Sequence, residues 1–315
     1  MTSPLVSVII PARNAENTVG NAIASVLEQS MPDLELIVVD DASTDRTAPV
    51  VAAMRDARIR LLRSERNIRC AAARNLGLRN ARGKWAAFLD ADDEWAPGRL
   101  ESLLSIIQDC ENGYAVDFQV LAVPGPLGRL VRANAPRPAE DGRVEDVDFD
   151  AILQLGHDVS PIVSVPACAR AGIRFPESGS GGEWVFFLSK LFAQGMQGRL
   201  VRRPGYLCRA QAAHDSSTLR AREEYLNVLE ILAADESLPE TSRRLLSKRM
   251  AYVREGLVAA ALRRRDGGTF VRYARRYPRA VLRLPRRAVL FIAARARLFL
   301  AASAVSRNTN PALPR

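Results

Sequence analysis

The chain has 315 residues, of which 48% are hydrophobic and 25% are charged, and this composition is typical of a globular protein with a full core. Its four cysteines are scattered, without a CxxC pair, which disfavours a zinc site and a disulfide framework and indicates a reducing compartment. The opening residues carry no basic region and only a short apolar run, so we expect no signal peptide and a cytoplasmic location.

The formal net charge of +10 is concentrated in one part of the chain. Between Arg263 and Arg297 there are twelve arginines and a single acid, Asp266, so the remainder of the chain is close to neutral. A basic surface that binds an anionic partner is therefore expected only in the C-terminal region.

Strands and helices alternate along the N-terminal third of the sequence. Runs of β-branched residues predict buried strands, and apolar residues three or four apart predict helices. In chain order we predict a strand at 5–10, a helix from residue 19 up to a break at 31–33, and a strand at 34–39. A helix with its apolar face at Val50, Val51 and Met54 follows, and then a strand at 59–62, a helix at 70–81 and a strand at 85–89. Ser43 or Thr44 is expected to cap the second helix. The alternation predicts an α/β fold with a mostly parallel sheet and right-handed crossovers.

Acidic residues directly follow two of the predicted strands. Asp40 and Asp41 follow the second strand, and Asp90, Asp92 and Asp93 follow the last one. Because ligands of parallel sheets bind outside the carboxyl ends of the strands, we expect both groups to face one crevice. Neighbouring carboxylates repel one another, and oxygen ligands two residues apart suit Mg²⁺ or Mn²⁺, which share phosphate oxygens. The pattern predicts a phosphorylated ligand bound through a divalent ion.

The remainder of the chain is less regular. No GxGxxG follows the first strand, which disfavours a dinucleotide-binding dehydrogenase. Between 114 and 150, four prolines and mixed charges predict a long, mostly extended connection. Regular structure is expected again at 152–155 and 162–165, followed by a helix at 184–193. From about residue 221 to the end we expect helices.

Four segments, in this order and spacing, resemble family 2 glycosyltransferases: SVIIPARN, LELIVVDDASTDRT, AAARNLGLRNARGKW and FLDADDEW. The resemblance is nearly continuous from Leu5 to about Leu100, continues weakly to Ser217, and is of the bacterial exopolysaccharide and cell-envelope type. It implies the GT-A fold, a Rossmann-like sheet flanked by helices, as a catalytic domain over residues 1–220. A helical, Arg-rich region is expected over residues 221–315.

The resemblance also implies an activity. Family members carry out metal-dependent, inverting transfer of a sugar from a nucleoside-diphosphate donor, with UDP favoured, to a hydroxyl of a saccharide or lipid-linked acceptor. A sugar-1-phosphate nucleotidyltransferase has a related sheet but opens with a Gly-rich basic loop, which this sequence lacks. The alternative from another class is a catalytically silent glycosyltransferase-like scaffold, because the segment that carries the base departs from the pattern of the family.

In that family the nucleobase and ribose are bound at the ends of the first two strands. Pro11, Ala12 and Arg13 match the end of the first strand, and Asp40 and Asp41 match the end of the second. A carboxylate accepts a uracil N–H and a ribose hydroxyl, which fits this role. The alternative for the two aspartates is structural, as caps of the following helix.

The segment FLDADDEW matches the DxD motif of the family. The resemblance assigns Asp90 and Asp92 to the metal, Mg²⁺ or Mn²⁺, and Asp90 and Ala91 to the donor, while Asp93 binds through water or holds the loop. The ion would offset the charge of the leaving diphosphate. His214 matches a segment whose histidine approaches the diphosphate or metal, and a structural histidine is the alternative.

Two further positions complete the implied site. Arg74 and Asn75 match an Arg-Asn pair that lies under the base and orients the acidic site; the alternative for Arg74 is a surface arginine paired within its helix. The base of the family is the aspartate of Gly-Glu-Asp-Trp, and alignment on Trp184 places Glu183 there, after Gly182. A glutamate is a competent base with a longer reach, and the alternative is a solvated acid in a Gly-rich loop.

The arginines of the C-terminal region recur every three or four residues, largely opposite aliphatic residues on a helical wheel. Pro278 and Pro285 must interrupt any helix there. The pattern predicts interfacial helices on an anionic membrane surface, which would place the enzyme peripherally on the cytoplasmic face of the inner membrane. The alternatives are a helical subdomain with solvated arginines, and an Arg-rich nucleic-acid-binding protein. No nucleic acid is expected as a partner, because stacking aromatic residues are not interleaved with the arginines.

Overall fold

The structure is a computed structural model that describes residues 3–110, 112–122, 130–131, 142–155, 159–176, 181–209, 219–264 and 266–282. His214 and the region after residue 282 lie outside the described residues, so the predictions made for them stay predictions. Within the described residues, no helix is both long enough and apolar enough to cross a membrane.

The described chain alternates strands and helices in its N-terminal part and is helical at its end. The strands are β1 (Val6–Ala12), β2 (Leu34–Asp41), β3 (Ile59–Ser64), β4 (Trp85–Phe88), β5 (Glu94–Trp95), β6 (Gly113–Ala122), β7 (Leu130–Val131), β8 (Val144–Val147), β9 (Ile162–Ser164) and β10 (Gln197–Arg209). The helices are α1 (Val19–Leu27), α2 (Thr47–Ala53), α3 (Cys70–Asn80), α4 (Arg99–Leu104), α5 (Phe149–Leu155), α6 (Val165–Arg170), α7 (Glu183–Ala193), α8 (Leu219–Ala233), α9 (Glu240–Arg263), α10 (Gly267–Arg276) and α11 (Pro278–Leu282).

The described strands form one sheet in the order β3-β2-β1-β4-β9-β6-β10-β5, with β7 beside β6 and β8 beside β10. Strands β3, β2, β1 and β4 are all parallel, because the helices α1, α2 and α3 supply the crossovers that parallel neighbours need. Beyond β4 the sheet is mixed: β9 is antiparallel to both of its neighbours, and β10 is parallel to β6 but antiparallel to β5 and β8. The α/β prediction is confirmed, and mainly parallel pairing holds for the first half of the sheet.

Strands β1 and β2 are buried along their whole length, because helices cover both faces of the sheet. Successive side chains point to opposite faces, so Val8 and Ile10 pack in one apolar cluster with α1, whereas Ile9 packs in the other. That second cluster continues through Phe88 to residues of α7, α8, α9 and α10. The C-terminal helices therefore share a core with the sheet, and the predicted boundary near residue 220 stays a prediction.

One local prediction was wrong and one strand was not predicted. Helix α2 begins at Thr47, and its first turn is held by the carboxylate of Asp45, which accepts hydrogen bonds from the Thr47 N–H and hydroxyl, not by Ser43 or Thr44. Strand β10 was not predicted, since its residues mix arginines with a proline and a glycine and show no regular alternation. The interruption at Pro278 is confirmed, because α10 ends at Arg276 and α11 begins at Pro278.

Candidate active site

The carboxyl ends of β1, β2 and β4 lie at one edge of the sheet, as the parallel pairing requires. At the end of β1, Pro11 and Ala12 are buried and Ala12 is in register with Asp40, while Arg13 is exposed. The first two residues therefore line the floor of this edge through their backbone. Arg13 follows directly after β1, and of these three predicted donor-binding residues it is the one whose side chain is exposed to a ligand.

The carboxylate of Asp40 is fully buried behind this edge and has partners within the protein. It accepts a hydrogen bond from the Ser43 N–H at 3.2 Å and forms an ion pair with Arg63 Nε at 3.1 Å. The Arg63 side chain itself is 64% exposed, so it covers the carboxylate from the solvent side. Asp40 thus caps the turn after β2. The structural role considered from the sequence was a cap of the following helix instead.

The carboxylate of Asp41 holds the segment that leads into α3. Its two oxygens accept hydrogen bonds from the backbone N–H groups of Ile68, at 2.6 Å, and Arg69, at 2.9 Å. Arg69 has a left-handed φ of 71°, an unfavourable conformation for a residue with a side chain, and its N–H bond to Asp41 helps to maintain it. Asp41 therefore shapes the crevice by fixing a loop.

The end of β4 has a different electrostatic character, because three carboxylates lie within four residues. Asp90 is part-exposed, Ala91 and Asp93 are buried, and Asp92 is partly buried. Burial, together with the negative charges of Asp90 and Asp92, raises the pKa of Asp93 to about 8. Asp93 therefore retains its proton to a higher pH than an ordinary carboxyl.

Arg74 connects this cluster to the start of α7. Its guanidinium donates to Asp90 Oδ1 at 2.6 Å and to Glu183 Oε2 at 3.2 Å, and its side chain is only 3% exposed. The guanidinium carbon lies 4.8 Å from the ring centroid of Trp184 and 5.5 Å from that of Phe175, so aromatic faces hold it in place. A single buried cation therefore brings together the predicted metal ligand and the predicted base.

Glu183 is the first residue of α7, and its side chain is 12% exposed. Burial raises the pKa of this carboxyl, and the Arg74 guanidinium opposes the rise. The preceding glycines are required by packing: a Cβ on Gly181 would overlap the carbonyl oxygen of Ala221, and Gly182 has a φ of 78°. Helix α8 thus lies directly against the loop that presents Glu183.

Asn75, next to Arg74, serves the structure of the site from behind. Its amide nitrogen donates to the Phe175 carbonyl at 3.0 Å, and its amide oxygen accepts from the Phe175 N–H at 2.9 Å. Asn75 therefore fixes the segment whose aromatic ring packs against Arg74, and a contact between Asn75 and the donor stays a prediction.

The acidic side chains at the end of β4 are the candidates to hold a divalent metal ion. Among the described residues, no group of three or more His, Cys, Asp and Glu side chains is arranged to hold a metal ion. Asp90 and Asp92 supply two carboxylates, which suits Mg²⁺ or Mn²⁺, since such ions bind one or two carboxylates and complete their shell with phosphate oxygens and water. The residues present therefore fit an ion that is shared with a phosphorylated ligand.

The sequence did not point to the residues that support the acidic loop from below. Tyr206, on the unpredicted strand β10, accepts a hydrogen bond from the Asp90 N–H at 2.9 Å. The buried pair of Arg99 and Asp117 packs under the same strand. Trp95 and Arg99 follow the acidic motif closely in the sequence and stack in the structure. Their spacing alone does not predict that they support the acidic loop.

Residues 7–140 match the family model described as "Glycosyl transferase family 2". The chain is 30% identical over 268 residues to the succinoglycan biosynthesis protein ExoO of Rhizobium meliloti, covering 80% of this chain and 74% of that protein. It is 44% identical over 107 residues to the UDP-Glc:alpha-D-GlcNAc-diphosphoundecaprenol beta-1,3-glucosyltransferase WfgD of Escherichia coli, covering 34% of this chain and 42% of that protein.

A solved structure supports the same assignment at the level of the fold. The structure of S. aureus TarS 1-349 in complex with UDP-GlcNAc is similar with a TM-score of 0.63 at 20% identity, covering 90% of this chain and 82% of that chain. The mixed sheet with flanking helices is thus the GT-A arrangement that the sequence predicted. The chain belongs to glycosyltransferase family 2, and it is a glycosyltransferase.

Proposed function

We propose that this glycosyltransferase moves a sugar from a UDP-sugar to an acceptor hydroxyl by a single, inverting displacement that depends on Mg²⁺ or Mn²⁺. The observation that carries the proposal is the contact of Arg74 with both Asp90 and Glu183. This contact places a carboxylate of the DxD motif and a buried acid side by side at the ligand-binding edge of the sheet. One group is suited to the donor diphosphate and the other to the acceptor.

The donor would occupy the crevice at the ends of β1, β2 and β4. UDP is proposed as the nucleotide because the similar TarS structure contains UDP-GlcNAc and the name of WfgD specifies UDP-Glc. The exposed Arg13 and the loop fixed by Asp41 would border the nucleoside, with Pro11, Ala12 and Asp40 behind them. The backbone groups of this edge, more than the buried carboxylates, would then recognise the base.

The divalent ion would be held by Asp90 and Asp92, with diphosphate oxygens and water as its other ligands. Bound there, it would supply Lewis-acid assistance by neutralising the charge of the departing diphosphate. Arg74 would keep Asp90 oriented through its ion pair at 2.6 Å. Asp93 is buried behind the loop and is better placed to support it than to bind the ion. His214 is proposed as an additional ligand from the sequence alone.

Glu183 would take the proton of the acceptor hydroxyl. The acceptor oxygen would then form the new bond to the anomeric carbon while the bond from that carbon to the diphosphate oxygen breaks, and UDP would leave with the electron pair. Arg74 favours the ionised form of Glu183, which a base requires, while burial maintains its basicity. Because one displacement occurs, the anomeric configuration would invert.

The acceptor is proposed to be a saccharide or a lipid-linked saccharide at the cytoplasmic face of the inner membrane. ExoO is named for succinoglycan biosynthesis, and the name of WfgD specifies a diphosphoundecaprenol-linked acceptor. On α10 and α11 the exposed side chains include four arginines and a leucine: Arg272, Arg275, Arg276, Arg279 and Leu282. Cations beside an apolar residue that is 83% exposed suit an anionic lipid surface.

Membrane binding is tested by sedimentation with vesicles. The protein should bind vesicles that contain anionic phosphatidylglycerol and not vesicles of neutral phosphatidylcholine, and the double variant Arg275→Gln, Arg276→Gln should bind more weakly. Salt-dependent binding to RNA without binding to the anionic vesicles would instead favour the nucleic-acid alternative.

The catalytic proposal is tested with Glu183→Gln and a panel of UDP-sugars. We expect kcat to fall by about 10²- to 10⁴-fold, because a general base contributes roughly that factor, while the affinity for UDP stays within about twofold. Glu240→Gln is the matched control, since Glu240 is also the first residue of its helix but is exposed. Normal transfer by Glu183→Gln would refute the base, and inactivity of the wild-type protein with every donor would favour a silent scaffold.

A further inference from the structure

A buried tyrosine on β10 contacts the acidic loop at two points. The Asp90 N–H donates to Tyr206 Oη at 2.9 Å, and the Tyr206 hydroxyl also bonds to the carboxylate of Asp93. The other anchor of Asp93 is the Arg209 N–H, which donates to Oδ1 at 2.9 Å. The two ends of the acidic loop are therefore attached to the same strand.

The ring of Tyr206 is held by a fully buried arginine. The guanidinium carbon of Arg99 lies 5.6 Å from the centroid of the Tyr206 ring and 4.6 Å from that of Trp95. Two nitrogens of Arg99 donate to the two carboxylate oxygens of Asp117, each at 2.8 Å. Such a bidentate pair has a fixed geometry, so it leaves the aromatic rings little freedom to move.

The backbone of β10 is shaped to place this tyrosine. The pairing of β10 with β6 shifts its register on both sides of Pro204, and Tyr206 faces Trp95 of β5 across the sheet. A Cβ on Gly205 would overlap Oδ2 of Asp117, so only glycine permits this approach of the strand to the buried ion pair. The Ala96 N–H donates to the Gly205 carbonyl at 2.9 Å, which closes the loop onto the strand.

We infer that Tyr206 is a positioning residue, which holds the loop from Asp90 to Asp93 in the geometry that a divalent ion and a diphosphate require. The inference rests on the proposed function. The carboxylates of Asp90 and Asp92 repel each other, so the loop would spread unless it were anchored. Tyr206 touches neither substrate nor ion; it acts through the backbone of Asp90 and the side chain of Asp93. Ligand geometry within about 0.5 Å depends on such supports.

The test is Tyr206→Phe, which removes the hydroxyl and keeps the ring over Arg99. Binding of Mn²⁺ in the presence of saturating UDP is measured by electron paramagnetic resonance, and binding of UDP in EDTA is measured by calorimetry. We expect the Kd for Mn²⁺ to rise about tenfold, the size of effect seen when a support of a metal site is removed, with UDP affinity in EDTA within about twofold of wild type.

The matched control is Tyr114→Phe on β6. Tyr114 is as deeply buried as Tyr206, and its hydroxyl has no hydrogen-bond partner among the described residues. Removing this hydroxyl should leave both affinities unchanged. The comparison separates the loss of the two hydrogen bonds from the general effect of a Tyr to Phe change in the core.

A measurement on the wild-type protein avoids any question of whether a variant folds. The Asp90 N–H should exchange slowly with solvent in native-state hydrogen exchange, because it donates to a buried hydroxyl although its side chain is 37% exposed. Fast exchange there, or unchanged Mn²⁺ affinity in folded Tyr206→Phe, would overturn the inference. An equal loss of UDP affinity in EDTA would also overturn it, by showing a general structural role. A wild-type protein that binds no Mn²⁺ with UDP would instead contradict the proposed function.

Discussion

Two acidic strand ends lie at the same edge of the sheet and differ in how their charge is balanced. After β2, the carboxylates of Asp40 and Asp41 are buried and accept hydrogen bonds from three backbone N–H groups and one arginine. After β4, three carboxyl groups lie close together, and burial, with the negative charges of Asp90 and Asp92, raises the pKa of Asp93 to about 8. Similar residues at equivalent positions thus differ in burial and in hydrogen-bond partners.

The difference separates Asp40 and Asp41, which are buried and accept hydrogen bonds from backbone N–H groups, from Asp90 and Asp92, which are partly exposed at the crevice. A carboxylate that is satisfied by backbone N–H groups contributes to the shape of the crevice, as Asp41 does for the loop before α3. After β4, Arg74 already pairs with Asp90, and the divalent ion proposed for Asp90 and Asp92 would arrive with the donor diphosphate. The comparison predicts that mutations after β4 mainly reduce sugar transfer, whereas mutations after β2 mainly reduce the free energy of unfolding.

The largest effect is expected for Asp92→Asn, which removes a proposed metal ligand. Transfer should fall by about 100-fold or more, because the ion that neutralises the leaving diphosphate is bound less tightly. The free energy of unfolding should stay within about 1 kcal/mol of wild type, as for other part-exposed sites. Asp109→Asn, which removes the same charge from an exposed position, is the control and should leave transfer unchanged. Normal transfer by Asp92→Asn would contradict the proposed role of Asp92 as a metal ligand.

An intermediate effect is expected for Asp41→Asn, and it should fall mainly on the stability of the protein. One of the two backbone N–H groups would face an amide nitrogen and lose its acceptor, which costs about 1–3 kcal/mol of unfolding free energy. Urea unfolding measures this loss. The affinity for UDP should fall with it, since the loop at Arg69 borders the crevice. If Asp41→Asn were as stable as wild type and failed only in binding, the carboxylate would be a direct ligand of the donor.

The smallest effect is expected for Arg63→Gln. The Arg63 side chain is 64% exposed, so water replaces much of its interaction with Asp40, and the loss should be about 1 kcal/mol or less. Arg66→Gln, at an exposed position nearby, is the control for the change of charge. A thermal-shift series of the two variants measures the difference, and a loss of several kcal/mol for Arg63→Gln alone would mean that Asp40 depends on this one cation.

The sequence predicted what is encoded locally. The apolar runs that end in Asp40 and Asp90 predicted strands β2 and β4 and the sheet edge where they end. The resemblance assigned the base to Glu183, and that assignment stays a prediction. The structure then placed Glu183 next to Arg74, as an orienting role for that arginine requires.

What the sequence did not predict depends on contacts between distant residues. Strand β10 lacks an alternating pattern and packs against the buried pair of Arg99 and Asp117, so no local feature of the sequence predicts Tyr206. In the same way, Gly181 and Gly182 are explained by the close approach of α8, which comes later in the chain. A capping role for Asp40 and Asp41 was considered from the sequence, but their partners were not predicted, because the Ile68 and Arg69 N–H groups that bind Asp41 lie far along the chain.

Calorimetric titration of UDP into the wild-type protein, in Mn²⁺ and separately in EDTA, tests most directly whether the β4 acids bind the donor through a cation. The account predicts that Mn²⁺ lowers the Kd for UDP at least about tenfold, and that this gain is lost in Asp92→Asn but retained in Asp109→Asn. Equal affinity with and without the metal, in a protein that binds UDP, would contradict it.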